Sequence, residues 1–436
     1  MKKIYLYVRA CELRLLDATR IHDYLSLNGY KIVYTPEDAD IIVFFTCAFS
    51  NFQENCALEK IKDFQKNYNA ELIIGGCLPD ISPGKLSEFF DGKIISTKKI
   101  QENEDILDII LPGNKIKFKD QKDANVPYSF LYGSNFYDNI KRTESIKKLS
   151  GLFRKTIYEK KFNKIKDHID KNLFALPALL NRFLKNKSFY AVRISWGCPS
   201  NCSYCAIKKA VGKLKSKSID QCISEFKNGL NLGYKTFIIN ADNTGAYGLD
   251  IGSNFAELLD EITKISGDFE ITILDLDPMW IVKYIDIFEE ILKRRKIISM
   301  EITVQSGSSR ILKLMNRYSD IEKIKNGLVR LKKSYPDLKL VIHQIIGFPT
   351  ETMDDLDKTL SFITEMNIDE GYSFSFSRRA GTDSEKIKPK LSNKEIIKRL
   401  SYTKKYLKKV GYDVMDVSHI SSLVYKKRKN NKSDKL

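Results

Sequence analysis

The sequence predicts an α/β protein in which a small N-terminal domain with a parallel sheet precedes a partial (β/α)6 barrel of the TIM type. Strand-like and helix-like segments alternate along residues 1–115, and six further strand–helix units follow within residues 188–400. Hydrophobic residues make up 43% and charged residues 29% of the 436 positions, so the composition is globular and excludes disordered and fibrous classes.

The N-terminal domain, residues 1–115, is predicted from short apolar runs that alternate with helix-like segments. The run at residues 40–45 is continuously apolar, which is typical of a strand buried on both faces of a parallel sheet. The expected segments are strands at residues 3–8, 40–45 and 71–74 and helices at residues 13–27 and 57–64.

Residues 116–187 are interpreted as a basic linker or insert that contains many aromatic residues. The chain has 73 Lys+Arg and 55 Asp+Glu, a formal net charge of +18. Residues 141–187 hold 14 Lys+Arg and 4 Asp+Glu, a net charge of +10, which is more than half of that excess. Such a concentration favours an anionic partner such as nucleic acid, a membrane surface or an acidic peptide.

The second domain, residues 188–400, is predicted to be the barrel, and residues 401–436 a basic helix with a charged tail. The barrel strands are expected at residues 191–195, 236–240, 270–274, 299–304, 339–346 and 371–376. No apolar run has the length of a membrane span, and the apolar stretch at the N-terminus is too short for a signal peptide. We therefore expect a cytoplasmic protein without a disulfide framework.

The strongest motif consists of three cysteines, Cys198, Cys202 and Cys205, in the loop after the first barrel strand. Thiolates are the usual ligands of iron–sulfur clusters, and three ligands on a four-iron cluster leave one iron open. The alternative is a structural zinc site. Zinc requires a fourth ligand, and His168 and His343 are distant in the sequence.

A second set of cysteines, Cys11, Cys47 and Cys77, has no local motif, but each residue follows a predicted parallel strand. The carboxyl ends of parallel strands meet at one edge of a sheet, so we expect the three thiols to lie together and to hold a second cluster. The alternative is three separate cysteines in the core.

The two cysteine sets, in this order, resemble those of the radical SAM methylthiotransferases, over residues 1–115 and about 188–385. Within that family, the sequence is most similar to the threonylcarbamoyladenosine tRNA methylthiotransferases. The matching segments are residues 76–79 (GCLP), 242–252 (DNTGAYGLDIG), 304–307 (VQSG), 315–318 (MNRY), 347–351 (GFPTE) and 377–382 (SRRAGT). The sequence also departs from the family. Arg14 stands where an asparagine is usual, and the C-terminal TRAM domain is not recognisable.

The resemblance implies two [4Fe–4S] clusters and S-adenosylmethionine (SAM), which serves as radical source and methyl donor. Cleavage of SAM at the Cys198/Cys202/Cys205 cluster would give a carbon radical that takes hydrogen from an unactivated C–H bond. The Cys11/Cys47/Cys77 cluster would deliver sulfur, and flavodoxin or ferredoxin would supply electrons. No further catalytic side chain is predicted.

Candidate SAM contacts stand at the ends of barrel strands or in the loops that follow them, where TIM-type barrels bind ligands. Each of these residues has a structural alternative, such as a helix cap, a turn or a solvated charge. The candidates are Tyr204, Asp242, Asn243, Gln305, Ser306, Arg317, Gly347, Phe348 and Pro349.

The resemblance favours an adenosine in a tRNA anticodon loop as the substrate, since unpaired loop bases can be stacked on aromatic side chains. The missing TRAM domain favours the alternative of a peptide or protein side chain. Two further readings are another radical SAM enzyme with an auxiliary cluster and a non-catalytic iron–sulfur protein. Residues expected to contact the substrate are Lys160, Lys161, Lys164, Lys166 and Arg378.

Overall fold

The computed structural model describes residues 2–102, 105–127, 189–417 and 422–428. The chain divides into two compact units, Met1–Ala191 with Lys209–Val211 and Val192–Lys208 with Gly212–Leu436. None of the described helices is long and apolar enough to cross a membrane. Both units are of the α/β class, which confirms the predicted fold class.

The first unit is built on a five-stranded parallel sheet with the order β2-β1-β3-β4-β5. Its strands are β1 (Lys3–Val8), β2 (Lys31–Val33), β3 (Ile41–Thr46), β4 (Glu71–Gly76) and β5 (Lys93–Ser96). The helices are α1 (Glu12–Leu27), α2 (Asn51–Asn67), α3 (Leu78–Ile81), α4 (Pro83–Ser87), α5 (Thr97–Glu102) and α6 (Ile106–Ile110). The strands β1, β3 and β4 that precede the three predicted cysteine ligands are neighbours.

The core of this unit extends beyond the predicted domain boundary at residue 115. Phe118 is fully buried in the cluster of apolar side chains between the sheet and α1. Arg20 on α1 donates hydrogen bonds to the carbonyls of Phe118 and Gln121, both at 3.1 Å. Thr19 donates to the carbonyl of Val126 at 2.9 Å. The N-terminal domain therefore includes residues that the sequence assigned to the linker.

The second sheet has eight strands in the order β14-β15-β13-β12-β11-β10-β9-β6, and β9 to β13 pair in parallel. The strands after the first sheet are β6 (Phe189–Arg193), β7 (Ser195–Trp196), β8 (Lys215–Ser216), β9 (Thr236–Asn240), β10 (Glu270–Leu276), β11 (Ile297–Gln305), β12 (Lys339–Ile346), β13 (Glu370–Ser375), β14 (Tyr412–Val417) and β15 (Ser422–Lys427). The helices are α7 (Lys208–Val211), α8 (Ile219–Asn231), α9 (Phe255–Lys264), α10 (Pro278–Leu292), α11 (Ser309–Leu314), α12 (Ile321–Ser334), α13 (Met353–Glu365) and α14 (Asn393–Lys409).

The prediction of a basic helix and tail for residues 401–436 is wrong for residues 412–417 and 422–427, which form two strands after α14 ends at Lys409. Gly411 adopts a left-handed conformation with φ of +96°, which stops the helix. Strands β14 and β15 then form an antiparallel pair, and β15 joins the edge of the parallel sheet at β13. The buried side chains of Tyr412, Leu423 and Tyr425 anchor this pair of strands. A prediction based on the basic composition of the segment does not reveal these buried residues.

Candidate active site

The three N-terminal cysteines lie at the carboxyl edge of the first sheet, as predicted. Cys11 directly precedes α1, while Cys47 follows β3 and Cys77 follows β4. The backbone N–H of Cys77 donates to the carbonyl of Thr46 at 3.0 Å, which fixes the two strand ends side by side. Cys47 and Cys77 are buried, whereas Cys11 is exposed.

The electrostatic environment of Cys77 includes the other two thiols and a nearby arginine. Burial raises the pKa of the Cys77 thiol far above its usual range, and the thiols of Cys11 and Cys47 raise it further. The guanidinium of Arg14 opposes this shift. Arg14 is itself 2% exposed and forms an ion pair with Asp17 at 3.0 Å. A cation that acts on a buried cysteine thiol fits a site in which deprotonated cysteines bind a metal cluster.

The second set of cysteines, Cys198, Cys202 and Cys205, lies in the loop after β7. Burial raises the pKa of Cys205 to about 11, while the backbone N–H groups of Lys208 and Ile207 lower it by hydrogen bonding to the sulfur. Burial also raises the pKa of Cys198. All eight cysteines of the chain are free thiols, so none of these ligands is used in a disulfide.

Residues after β9 hold the start of this loop in place. The carboxylate of Asp242 accepts the backbone N–H of Gly197 at 2.9 Å. The side-chain amide of Asn243 donates to Ser200 Oγ at 2.9 Å and lies 3.8 Å from Cys198 Sγ. The indole N–H of Trp280 in turn donates to Asn243 Oδ1 at 3.3 Å. Asp242 and Asn243 therefore position the cysteine loop.

A buried arginine holds the middle of the loop. Arg317 Nη1 lies 3.7 Å from Cys202 Sγ and 2.9 Å from the carboxylate of Asp277. Its other terminal nitrogen, Nη2, donates to the carbonyl and the hydroxyl of Thr303 on β11. Burial raises the pKa of the nearby Tyr204 phenol, although Arg317 opposes that shift. Arg317, one of the predicted SAM contacts, thus lies against the sulfur of Cys202, and Tyr204, another of them, is near Arg317.

Two non-glycine residues with a positive φ lie in the segments that the sequence assigns to SAM. Gln305 at the end of β11 has φ of +70°, and Thr350 has φ of +67°, a conformation that is costly for a β-branched residue. Gln305 is 9% exposed, and its Oε1 atom has no hydrogen-bond partner. Each such residue costs about 1–3 kcal/mol and persists only where its surroundings enforce it. A buried, unpaired acceptor on a strained turn is suited to a bound ligand.

The GFPTE segment forms a rigid turn. Glu351 accepts the backbone N–H of Gly347 at 2.9 Å, and burial raises the pKa of this carboxyl to about 7 although that hydrogen bond lowers it. Phe348 is fully buried and packs edge-to-face on Phe376 at 5.4 Å, and Pro349 is also buried. Phe348 therefore contributes its side chain to the core and can offer a ligand only its backbone.

The remaining predicted residues differ in where they lie. Ser306 is 1% exposed, and its hydroxyl lies 3.3 Å from Thr359 Oγ1, so its side chain supports the turn. Arg378 is exposed and donates to the carbonyl of Leu391 at 3.2 Å. The four predicted substrate-contacting lysines lie outside the described residues: Lys160, Lys161, Lys164 and Lys166.

Three residues that hold the cysteine loop and its partners in place were not predicted from the sequence, namely Asp277, Trp280 and Thr303. Asp277 follows β10 directly and caps α10 by accepting the N–H of Met279 at 3.0 Å. Its position after a barrel strand was a usable signal. Trp280 and Thr303 act through Asn243 and Arg317, and only the three-dimensional structure reveals such contacts.

Comparison with known proteins agrees with this arrangement. The profile of the radical SAM superfamily matches residues 192–363, and that of "Uncharacterized protein family UPF0004" matches residues 3–95. A structure of the radical S-adenosylmethionine methyltransferase TsrM from Kitasatospora setae, with cobalamin and a [4Fe–4S] cluster bound, is 11% identical. It has a TM-score of 0.52 and covers 85% of this chain and 71% of its own, a similarity of fold alone.

Two curated relatives cover most of the chain. A "Probable threonylcarbamoyladenosine tRNA methylthiotransferase" from Pyrococcus abyssi is 30% identical over 389 residues, which are 89% of this chain and 80% of that protein. A "Ribosomal protein uS12 methylthiotransferase RimO" from Clostridioides difficile is 27% identical over 425 residues, which are 95% and 84% of the two chains. The chain therefore belongs to the radical SAM methylthiotransferase family, whose enzymes use [4Fe–4S] clusters and S-adenosylmethionine.

Proposed function

We propose that this enzyme adds a methylthio group to an adenosine of the threonylcarbamoyl type in a tRNA anticodon loop. The observation that carries the proposal is the presence of two three-cysteine sets, one at the ends of three parallel strands and the other in the loop after β7. One set alone would support another radical SAM reaction, whereas a second set supplies a place for the sulfur donor.

Each three-cysteine set has the donor atoms for one iron–sulfur cluster. Cys198, Cys202 and Cys205 would hold the cluster that binds SAM, and Cys11, Cys47 and Cys77 the auxiliary cluster. When bound, these groups supply the radical chemistry and the sulfur.

Side chains around Cys198 and Cys202 would orient the ligand. Asn243 and Arg317 direct N–H groups at the two sulfurs, and hydrogen bonds to thiolates tune the charge and potential of a cluster. Gln305 offers an unpaired buried acceptor, which we assign to a donor group of SAM. The N–H of Gly347 already donates to Glu351, so it is not available to a ligand. The GFPTE turn would therefore contribute to SAM binding through the shape of its backbone.

The substrate assignment is supported by the relatives and by charge. A "Probable threonylcarbamoyladenosine tRNA methylthiotransferase" is found in P. abyssi and also in Methanocaldococcus jannaschii, where it is 27% identical over 88% of this chain. The net charge of +18 suits a polyanionic substrate, because neutralised phosphates release their counterions.

The first test is a product assay with the anaerobically reconstituted enzyme, SAM and a reductant. Transcripts carrying threonylcarbamoyladenosine are digested to nucleosides, and mass spectrometry should find a gain of one CH2S unit on that adenosine. The Cys47→Ala variant keeps the Cys198 set, so it should release deoxyadenosine without sulfur transfer. Sulfur-free products from the wild-type enzyme would refute methylthiotransfer.

The second candidate substrate is a ribosomal protein side chain, which the similarity to the RimO protein favours. A peptide containing the modified region of uS12 is therefore offered in a parallel reaction. Methylthiolation of the peptide and not of the tRNA would overturn the proposed substrate while leaving the chemistry intact. Competition between the two substrates in one reaction ranks them directly.

RNA binding itself is tested by its dependence on salt. Replacing Lys160, Lys161, Lys164 and Lys166 by Gln should reduce the slope of log affinity against log salt by about 3, as expected for four lost phosphate contacts. The matched control replaces four exposed lysines on α12 and α14, namely Lys323, Lys333, Lys394 and Lys398. Equal slopes in the two quadruple variants would contradict the role of the basic segment.

A further inference from the structure

Three side chains that the proposed chemistry does not use converge inside the second unit. Asp275, Glu301 and His343 stand on the neighbouring strands β10, β11 and β12, and one ligand atom from each lies within 4.8 Å of the others. Glu301 Oε1 and His343 Nε2 are 3.3 Å apart. The set combines two carboxylates with an imidazole, which are common metal-binding groups.

The backbone is distorted at the residue that completes this set. The pairing of β10 with β11 is irregular between Ile273 and Leu276. Within this stretch, Asp275 adopts a left-handed conformation with φ of +52°. A bulge of this kind redirects a side chain and is frequent near functional sites. A simple Glu301–His343 ion pair would need no such distortion of a third strand.

Burial and charge in this cluster favour a cation. The side chains of Glu301 and His343 are each 17% exposed, and all three residues are half-buried. Burial would lower the pKa of His343, but Glu301 and Asp275 raise it. The edges of Tyr372 and Phe374 pack on the imidazole at 5.0 and 5.4 Å, so its orientation is held.

We propose that Asp275, Glu301 and His343 form a binding site for one divalent transition-metal ion, of the Mn2+ or Zn2+ class, separate from the iron–sulfur clusters. Two ligands about 2.1 Å from a shared ion lie about 3.0–3.4 Å apart when they subtend about 90–110°. The observed distance of 3.3 Å between Glu301 Oε1 and His343 Nε2 meets this requirement. Mixed nitrogen and oxygen ligands suit these metals.

The ion would lie on the side of the sheet that faces the cysteine loop. Glu301 and Thr303 are two residues apart on β11 and therefore share a face. Arg317 bonds Thr303 and contacts Cys202. An ion with three protein ligands has coordination positions left for water or a substrate oxygen. The proposed metal ion would therefore have room to bind an oxygen atom of a substrate as well.

The test titrates Mn2+ into the reconstituted enzyme and measures free Mn2+ by EPR. Oxidised [4Fe–4S] clusters give no EPR signal, and the cysteines are occupied in this form. We expect about one tight site per chain, with at least about tenfold weaker binding in His343→Gln and Asp275→Asn. The matched control is His22→Gln, because His22 pairs with Asp23 at 3.1 Å in the first unit and should bind Mn2+ like the wild type.

Each outcome decides the proposal. Displacement of bound Mn2+ by Zn2+ in the wild-type enzyme, together with the loss in both variants, supports it. Absence of stoichiometric Mn2+ binding, or equal affinity in the variants and the control, overturns it and leaves an ion pair. Iron content and far-UV circular dichroism must match the wild type, and Glu301→Gln provides an independent ligand variant if either of the others misfolds.

Discussion

Gly76 couples the fold of the first sheet to the position of Cys77. It ends β4 with φ of +85°, a conformation that favours glycine. A Cβ atom at this position would lie 2.3 Å from the carbonyl oxygen of Thr46 and 2.7 Å from its nitrogen. Backbone atoms cannot rotate away as a side chain can. The Gly76→Ala substitution must therefore separate β3 from β4 next to Cys47 and Cys77.

The expected cost follows from two contributions. The left-handed backbone costs a non-glycine residue about 1–2 kcal/mol. Overpacking costs about 1–3 kcal/mol. Gly76→Ala should therefore lower the free energy of unfolding by about 2–5 kcal/mol. This is a large fraction of the ~5–15 kcal/mol that stabilises a typical protein.

Urea unfolding of the cluster-free chain measures this loss, and iron analysis after reconstitution measures its consequence at the site. Displacement of Cys77 should remove the auxiliary cluster, so iron per chain should fall by roughly half, since the Cys198 set is untouched. Gly84→Ala is the matched control in the same unit, because nothing lies within 4 Å of its Cβ position. Gly76→Ala with the stability and full iron content of Gly84→Ala would refute the reasoning.

Two further predictions concern buried charges. Arg14→Gln should shift the reduction potential of the auxiliary cluster to more negative values, because the guanidinium acts on Cys77 and a nearby cation favours the reduced cluster. An EPR redox titration measures this potential, and a titration that finds no shift contradicts the prediction. Glu351 has its pKa raised by burial to about 7 from 4.5, so the folded chain holds a proton over this range and stability falls as pH rises through it. Glu351→Gln should make the decrease in the free energy of unfolding between pH 4.5 and 8 smaller by about 3 kcal/mol. The same decrease in the variant and in the wild type would count against this prediction.

The two cysteine sets were predictable for different reasons. Cys198, Cys202 and Cys205 are neighbours in the sequence, so their spacing alone indicates a shared ligand. Cys11 and Cys77 are far apart in sequence, and only the parallel-sheet rule brings them together. The rule applies here because β1, β3 and β4 are adjacent in the sheet, which the order of strand-like runs does not by itself guarantee.

Short or charged strands escaped prediction because their pattern is weak. β2 and β5 contain three and four residues, too few to show a period. β14 and β15 follow a lysine-rich helix and carry charges of their own. Their charged composition therefore predicted a helix and tail, although the residues alternate as in a strand. Tertiary pairing with β13, which buries Tyr425, supplies the stability that the local sequence lacks.

Asp275 shows why a polar residue within a strand can be mistaken for the end of that strand. The predicted strand stops at residue 274, because a charged residue breaks the apolar run there, whereas β10 continues to Leu276 with an irregularity in its pairing to β11. Gln305 at the end of the adjacent strand also has a positive φ. Polar residues strained at neighbouring strand ends are costly unless a ligand or a charge partner compensates. In a barrel, a polar residue that interrupts an apolar strand near its carboxyl end is therefore better read as a candidate ligand than as a boundary.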